Sequence, residues 1–224
     1  MVEPTPYPEL PATAWAVLGM FTFGEKLTGN DLKRWADLSV KYFYWGPSLS
    51  QVYSELKKLE DLDLVRSTVV CEPGIRARRV YEITHAGVGA IRAWSHSAPV
   101  ELPVLKHGVV LRLWMGHLND PEHLKFLVTE HIKNLCEIRD RAGAQAVRSD
   151  RDPAWAFTAL SLRWSQRYFQ AEIDLARGLL EDIDAAAREF SRVEEFDKWD
   201  LPRPIAPGGW RGGEVTDDAP VAED

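Results

Sequence analysis

The stretch from Pro47 to Trp94 leaves few folds open. Leu49, Val52, Leu56 and Leu59 recur at helical spacing, and Ser48, Ser50, Gln51, Tyr53, Ser54, Lys57 and Lys58 lie between them. Ser48 or Ser50 can cap this helix, which the pattern extends to about Leu62. Leu64–Glu72 then reads as a strand, Pro73-Gly74 as a turn, and Ala77–Ile83 as the returning strand. Thr84 caps a further helix over Ala86–Ser95. A helix with a polar face is thus followed at once by a hairpin carrying Arg76, Arg78 and Arg79.

Two shorter helices precede this block. Thr13 caps one through Phe21, which Gly24 ends; Thr28 or Asn30 caps another containing Leu32, Trp35, Ala36, Leu38 and Val40. The order helix, helix, helix, strand, strand, helix is that of a winged helix-turn-helix. Small hydrogen-bonding side chains on the third helix can reach base edges, and arginines on a hairpin can reach phosphates or a minor groove. Ser50, Gln51, Ser54 and Lys57 are the contact candidates, with Ser48 beside them; Gln51 is the best base reader, because an amide pairs bidentately with adenine. Tyr53 either donates to a phosphate or fills the core. Strand alternation turns Arg76 and Arg78 together toward DNA, while Arg79 faces either DNA or an acid of its own domain.

Charge qualifies this reading. The net charge is −7, but residues 1–97 hold eleven Lys/Arg and eleven Asp/Glu, so all the excess acid lies beyond them. The basic patch is local, around Lys57–Lys58 and Arg76–Arg79. A neutral head leaves a second class of function open, a winged-helix adaptor that binds proteins and not DNA.

Beyond Pro99 and Pro103 the chain reads as helical almost throughout: Val104–Leu118, then Glu122–Val147 after Asn119-Asp120-Pro121, then a helix from Pro153 to about Asp197. That last helix would be about 65 Å long. It needs a packing partner, and a second copy of the chain is the simplest. The expected organisation is a flexible arm (1–11), a winged head (12–97), a long-helix dimerisation domain (98–199) and a disordered acidic tail (200–224). The fold class is mainly α with one small β-hairpin.

Other features read as ordinary structure. Cys71 and Cys136 have no Cys or His at metal-ligand spacing, and His107, His117, His123 and His131 form no tight metal motif, although His123 and His131 could share a helix face. No metal or cofactor is expected. Gly-rich phosphate loops, HExxH and nucleophile elbows are absent from the sequence, so no enzyme is expected. No apolar run approaches the ~20 residues of a membrane span, and the acidic, proline-bearing start does not read as a signal peptide. The expected location is the cytoplasm.

Two segments resemble a known family. SLSQVYSELKKLEDLDLV (Ser48–Val65) and GIRARRVYEITHAG (Gly74–Gly87) are similar to PadR-type transcriptional regulators, in the branch with an extended helical C-terminal domain. The matching positions are Tyr53, Leu56, Leu59 and Glu60 on the helix, and Arg79, Tyr81, Thr84 and Gly87 after the turn. The resemblance covers about residues 12–95 well and the later helices only in character. It departs at Asp63, where many members carry Gly; Asp tolerates a left-handed backbone better than most residues. The resemblance implies a dimeric repressor on a palindromic double-stranded operator. It also implies a small phenolic or drug-like ligand, for which Trp94, Trp114, Trp155 and Trp164 are stacking candidates; the alternative for these four is core and dimer packing.

Overall fold

A computed structural model describes residues 7–71 and 77–205. The element order is α1 (Ala12–Met20), α2 (Gly29–Leu38), α3 (Leu49–Asp61), β1 (Val65–Val70), β2 (Arg78–Ile83), α4 (His85–Ser97), α5 (Gly108–Trp114), α6 (Pro121–Ser149) and α7 (Ala156–Phe190), with short 3-10 turns between several of them. The winged-helix order expected from the sequence is present.

Helix α1 is the centre of the head. Ala14, Trp15, Val17, Leu18 and Met20 are all buried, so it is enclosed on more than one side. Leu32 of α2, Val52, Leu56 and Leu59 of α3, Val65 of β1 and Tyr81 of β2 close round it. Each fully buried Leu, Val or Phe side chain stabilises this core by about 1.5–3 kcal/mol. Thr13 does not cap α1. Pro11 precedes the helix in extended backbone and its carbonyl accepts the Ala14 amide at 2.9 Å, which leaves Thr13 inside the helix, where its hydroxyl donates to Glu55 at 3.2 Å. Thr28 and Ser48 are the caps of α2 and α3, each in a reciprocal capping box with Asp31 and Gln51.

The strands pair antiparallel, Val65 opposite Ile83 through Val70 opposite Arg78. Leu27 adds a bridge on the far side of β2: it exchanges backbone hydrogen bonds with Tyr81 at 3.0 and 2.8 Å.

The described chain divides into two compact units, residues 1–105 with 133–173, and residues 106–132 with 174–224. In the first, the head packs on parts of both long helices. Buried Tyr42 meets Ala142, Ala146 and Leu162, and Trp155 stacks on Phe23 at 4.4 Å and edges onto Trp35 at 5.2 Å. Burial pushes the Tyr42 phenol up, against a smaller opposing effect of Arg141. Gly143 lies where the helices approach: a Cβ there would come within 2.6 Å of the Gln166 amide nitrogen, and that side chain would have to swing aside. In the second unit Leu124 and Val128 pack with Ala176 and Ile183, and Lys125 bridges Glu122 and Asp184 at 2.6 and 2.9 Å.

Beyond the head, three segments differ from the sequence expectation. The single helix expected over Val104–Leu118 is helical only from Gly108 to Trp114, followed by a 3-10 turn at Gly116–Leu118. His107 delays its start, because its Nδ1 accepts the Val110 amide at 3.1 Å as an N-cap. Helix α7 stops at Phe190 and not near Asp197, so its 35 residues span about 52 Å. Residues 200–205, expected to be disordered, turn back on the chain: Phe196 bridges Pro202, and Asp197 Oδ1 accepts the amides of Trp199 and Leu201. The remainder of the expected tail lies outside the described residues.

Candidate nucleic-acid interface

Helix α3 buries Val52, Glu55, Leu56 and Leu59 and exposes Ser50, Gln51, Tyr53, Ser54, Lys57 and Lys58. The exposed residues share one side because they fall between the apolar positions of a 3.6-residue repeat. Their chemistry is not equal. Ser48 accepts the Gln51 amide, and Gln51 Oε1 in turn accepts the Ser48 amide at 2.8 Å. Gln51 therefore spends half of its bidentate capacity on the helix start. Ser50 lies 3.0 Å from the Ser48 hydroxyl. Lys58 pairs with Glu55 at 3.1 Å, which removes it from the basic patch. Lys57 and Ser54 have no partner among the described residues, and both face outward.

Tyr53 is 45% exposed, yet its ring lies against α2: a Cβ on Gly29 would sit 2.6 Å from the ring. It is neither a core residue nor a free one. Its ring seats the exposed side of α3 on the first turn of α2.

The hairpin leaves the core beyond Val80. Thr68, Val69, Arg78 and Arg79 are all exposed, so the alternation that separates Arg78 from Arg79 on paper does not bury either. Arg79 forms no ion pair among the described residues. Arg76 lies outside the described residues, as does the Pro73-Gly74 turn. At the hairpin base, Arg66 and Lys26 reach Glu82 at 2.7 and 3.2 Å. The Arg66 hydrogen bond, with that of Lys26 behind it, holds the Glu82 carboxyl below the usual carboxylate range.

Helix α3, the hairpin and α4 are joined at one point. Helix α3 ends with the Leu64 amide on the Leu59 carbonyl (2.9 Å) and the Asp63 amide on the Glu60 carbonyl (3.0 Å), a Schellman arrangement. Asp63 takes the left-handed conformation that this ending requires, at φ 55°. The Thr84 hydroxyl donates to the Asp63 carbonyl at 2.6 Å and accepts the Gly87 amide at 3.0 Å. The Thr84 amide donates to the Leu64 carbonyl at 3.0 Å. A Cβ on Gly87 would fall 2.1 Å from that carbonyl oxygen. The Thr-x-x-Gly spacing seen in the sequence is thus the hydrogen-bonded seat of α4 on the end of α3.

The four nominated tryptophans have these surroundings. Trp94 stacks on Trp15 at 5.1 Å at the edge of the head core. Trp155 belongs to the Phe23–Trp35 cluster, and Trp164 stacks on Tyr168 at 5.4 Å on an exposed helix face. Trp114 is 79% exposed on α5. A groove of about 260 Å³ lies beside α1, lined by Phe23, Trp35, Phe43 and Phe157 with Ser39, Thr158 and Ser161 among others. None of the four nominated residues lines it. Trp35 does, and its place in the helical repeat of α2 made it look like core. His131 meets His107 edge-on at 5.0 Å, a pairing that the His123–His131 spacing does not suggest. Cys71 is exposed beside the wing.

No protein-family model matches the chain, and no curated protein matches it. Solved structures do. A PadR-like transcriptional regulator from Bacillus cereus aligns with 78% of this chain and 97% of its own, at TM-score 0.65 and 19% identity. Bacillus subtilis PadR in complex with operator DNA aligns with 77% of this chain and 99% of its own, at TM-score 0.66 and 18% identity. The same protein in complex with p-coumaric acid aligns with 79% and 99%, at TM-score 0.59 and 17% identity. Head and helical arms together are covered by these alignments, and the chain has the fold of the PadR-like transcriptional regulators.

Proposed function

We propose that this chain is a homodimeric, sequence-specific DNA-binding transcriptional regulator, a cytoplasmic repressor released by a small aromatic ligand, and not an enzyme. One observation carries the reading. The outward row Ser50, Ser54 and Lys57 of α3 belongs to the same head as the exposed wing residues Arg78 and Arg79, in a fold that Bacillus subtilis PadR presents to operator DNA. Lys57 and Arg79 supply phosphate contacts; Ser50, Ser54 and the free amide nitrogen of Gln51 read base edges. Arg76 and Arg78 complete the wing, and Ser48 and Tyr53 hold the helix.

A near-neutral head needs a second head to gain affinity. Helix α7 supports one. Phe157, Leu160, Trp164 and Tyr168 are 83, 57, 55 and 44% exposed and recur at three/four spacing, while Ala159, Leu162 and Ile173 on the same helix are buried. A second apolar stripe of this kind is the surface on which another copy would pack. Among the described residues no helix is long and apolar enough to cross a membrane.

The groove beside α1 is where we place the ligand. Its lining holds aromatic rings and hydroxyls but no Lys, Arg or His, which favours a neutral aromatic over a carboxylate. The test is a salt titration of the full chain on DNA from its own promoter and on an unrelated fragment of equal length. Preference for the promoter supports the repressor reading. Absence of binding to any DNA at low salt refutes it and favours the adaptor, which the neutral charge balance of residues 1–97 also suits.

A further inference from the structure

We infer that Glu60 is a positioning residue for DNA binding: it fixes the angle of the wing to the recognition helix. Glu60 stands on the last turn of α3, one turn beyond Lys57, and Ser67 stands in β1. Glu60 Oε1 accepts both the Ser67 amide at 3.2 Å and the Ser67 hydroxyl at 2.5 Å.

The sheet register explains why these bonds matter. Ser67 lies opposite Tyr81, and Tyr81 directs its own amide and carbonyl to Leu27. Ser67 and Tyr81 therefore form a non-hydrogen-bonded pair, and the Ser67 amide points to the outer side of β1. No strand lies there among the described residues. The Glu60 carboxylate takes that place, with charge-assisted bonds that are shorter and stronger than neutral ones. Behind Ser67 the strand is held by buried Val65 and by the joint at Thr84; ahead of it Thr68 and Val69 of the same strand are exposed. The Glu60–Ser67 pair thus ties the outer edge of β1 to the helix where the strand leaves the core. Losing it frees the wing to swing relative to Lys57, and both must meet the same stretch of duplex at once.

This inference rests on the DNA-binding reading, and the experiment separates the two. A duplex is first selected from random DNA by the wild-type full chain. Its affinity is then measured for wild type, Glu60→Ala, Glu60→Gln and Ser67→Ala, each with and without Arg79→Ala, alongside thermal melting. Glu60→Ala is expected to weaken binding about tenfold in the intact wing and less than about twofold once Arg79 is gone, because both changes act through the wing. Glu60→Gln keeps an acceptor for both Ser67 donors and should bind nearly as wild type. Ser67→Ala loses the hydroxyl bond and keeps the amide bond, so it should weaken binding in the same direction but by less than Glu60→Ala, and it tests the link even if Glu60→Ala folds poorly. Equal losses with and without Arg79, no loss, or Glu60→Gln as weak as Glu60→Ala each overturn the inference. Failure of the wild type to select any sequence overturns the regulator reading, and this inference with it.

Discussion

Replacing Gly87 by Ala should destabilise the head, whereas replacing Gly89, two residues further along the same helix, should stabilise it. The added Cβ at Gly87 would meet the Leu64 carbonyl oxygen at 2.1 Å and the Ile83 Cγ1 at 2.8 Å. The carbonyl cannot yield easily, since Leu64 closes the end of α3 and its oxygen already accepts the Thr84 amide at 3.0 Å. Relief requires α4 to move by more than an ångström, and overpacking of this kind costs about 1–3 kcal/mol or more. Helix propensity returns up to about 1 kcal/mol for Gly to Ala, less near a helix start. The net expected loss is about 2 kcal/mol, or a melting temperature lower by about 4–8 °C for a chain of this size. Gly89 has nothing within 4 Å of a Cβ, so only the propensity gain remains, and its melting temperature should rise by about 2–4 °C. Differential scanning calorimetry on both variants decides. If Gly87→Ala melts at or above the temperature of Gly89→Ala, the tight seat of α4 on α3 is not what specifies glycine there.

Asp63→Gly should stabilise the head by about 1 kcal/mol, because Asp63 sits at φ 55° and glycine adopts that conformation without strain; equilibrium urea unfolding reads this, and an unchanged midpoint refutes it. Thr84→Ala removes the cap of α4 and the bond to Asp63 together, and should cost about 1–2 kcal/mol by the same assay. Lys57→Ala should weaken binding to all DNA sequences alike and reduce the salt slope by about 1; a change confined to one sequence would make Lys57 a base reader. Glu82 gives a pH dependence. Its folded pKa is depressed by Arg66 and Lys26, so its contribution is present above the ordinary carboxylate range and is lost as pH falls through the lowered value. Wild type and Glu82→Gln should therefore differ in melting temperature at neutral pH and converge in acid; a constant gap would show that the charge is not involved.

The parts of the head that could be read from sequence are those set by neighbours in the chain. Capping residues act on amides two or three positions away, which is why Thr28, Ser48 and Thr84 could be nominated, whereas the left-handed turn at Asp63 came into view only through the resemblance, whose members often carry Gly there. Thr13 misled because the same residue type can serve a distant carboxylate, here Glu55. The wing arginines were legible as a cluster, and of these Arg78 and Arg79 are both exposed. Gln51 looked like the best reader on its chemistry alone, although Ser48-x-x-Gln51 has the spacing of a capping box, and its side chain closes one. Lys58 looked basic because its partner Glu55, an acid on the buried side of the helix, is three residues away and reads as just another charge. The groove beside α1 draws on α1, α2 and the start of α7, and a pattern of residues does not reveal a space between elements.

The bridge from Leu27 to Tyr81 bears on how the protein keeps apart from its own kind. A two-stranded ribbon ordinarily offers two open backbone edges, each able to recruit a strand from another molecule. Here a residue from the loop before α2 occupies one edge at Tyr81, and a side chain occupies the other at Ser67. The positions most able to template extension are capped without the cost of a third strand. The wing can then project β-branched Thr68 and Val69 into solvent at high concentration and resist polymerising, and Leu27→Pro, which withdraws the amide from that bridge, should raise the rate of thioflavin-positive aggregation on mild heating.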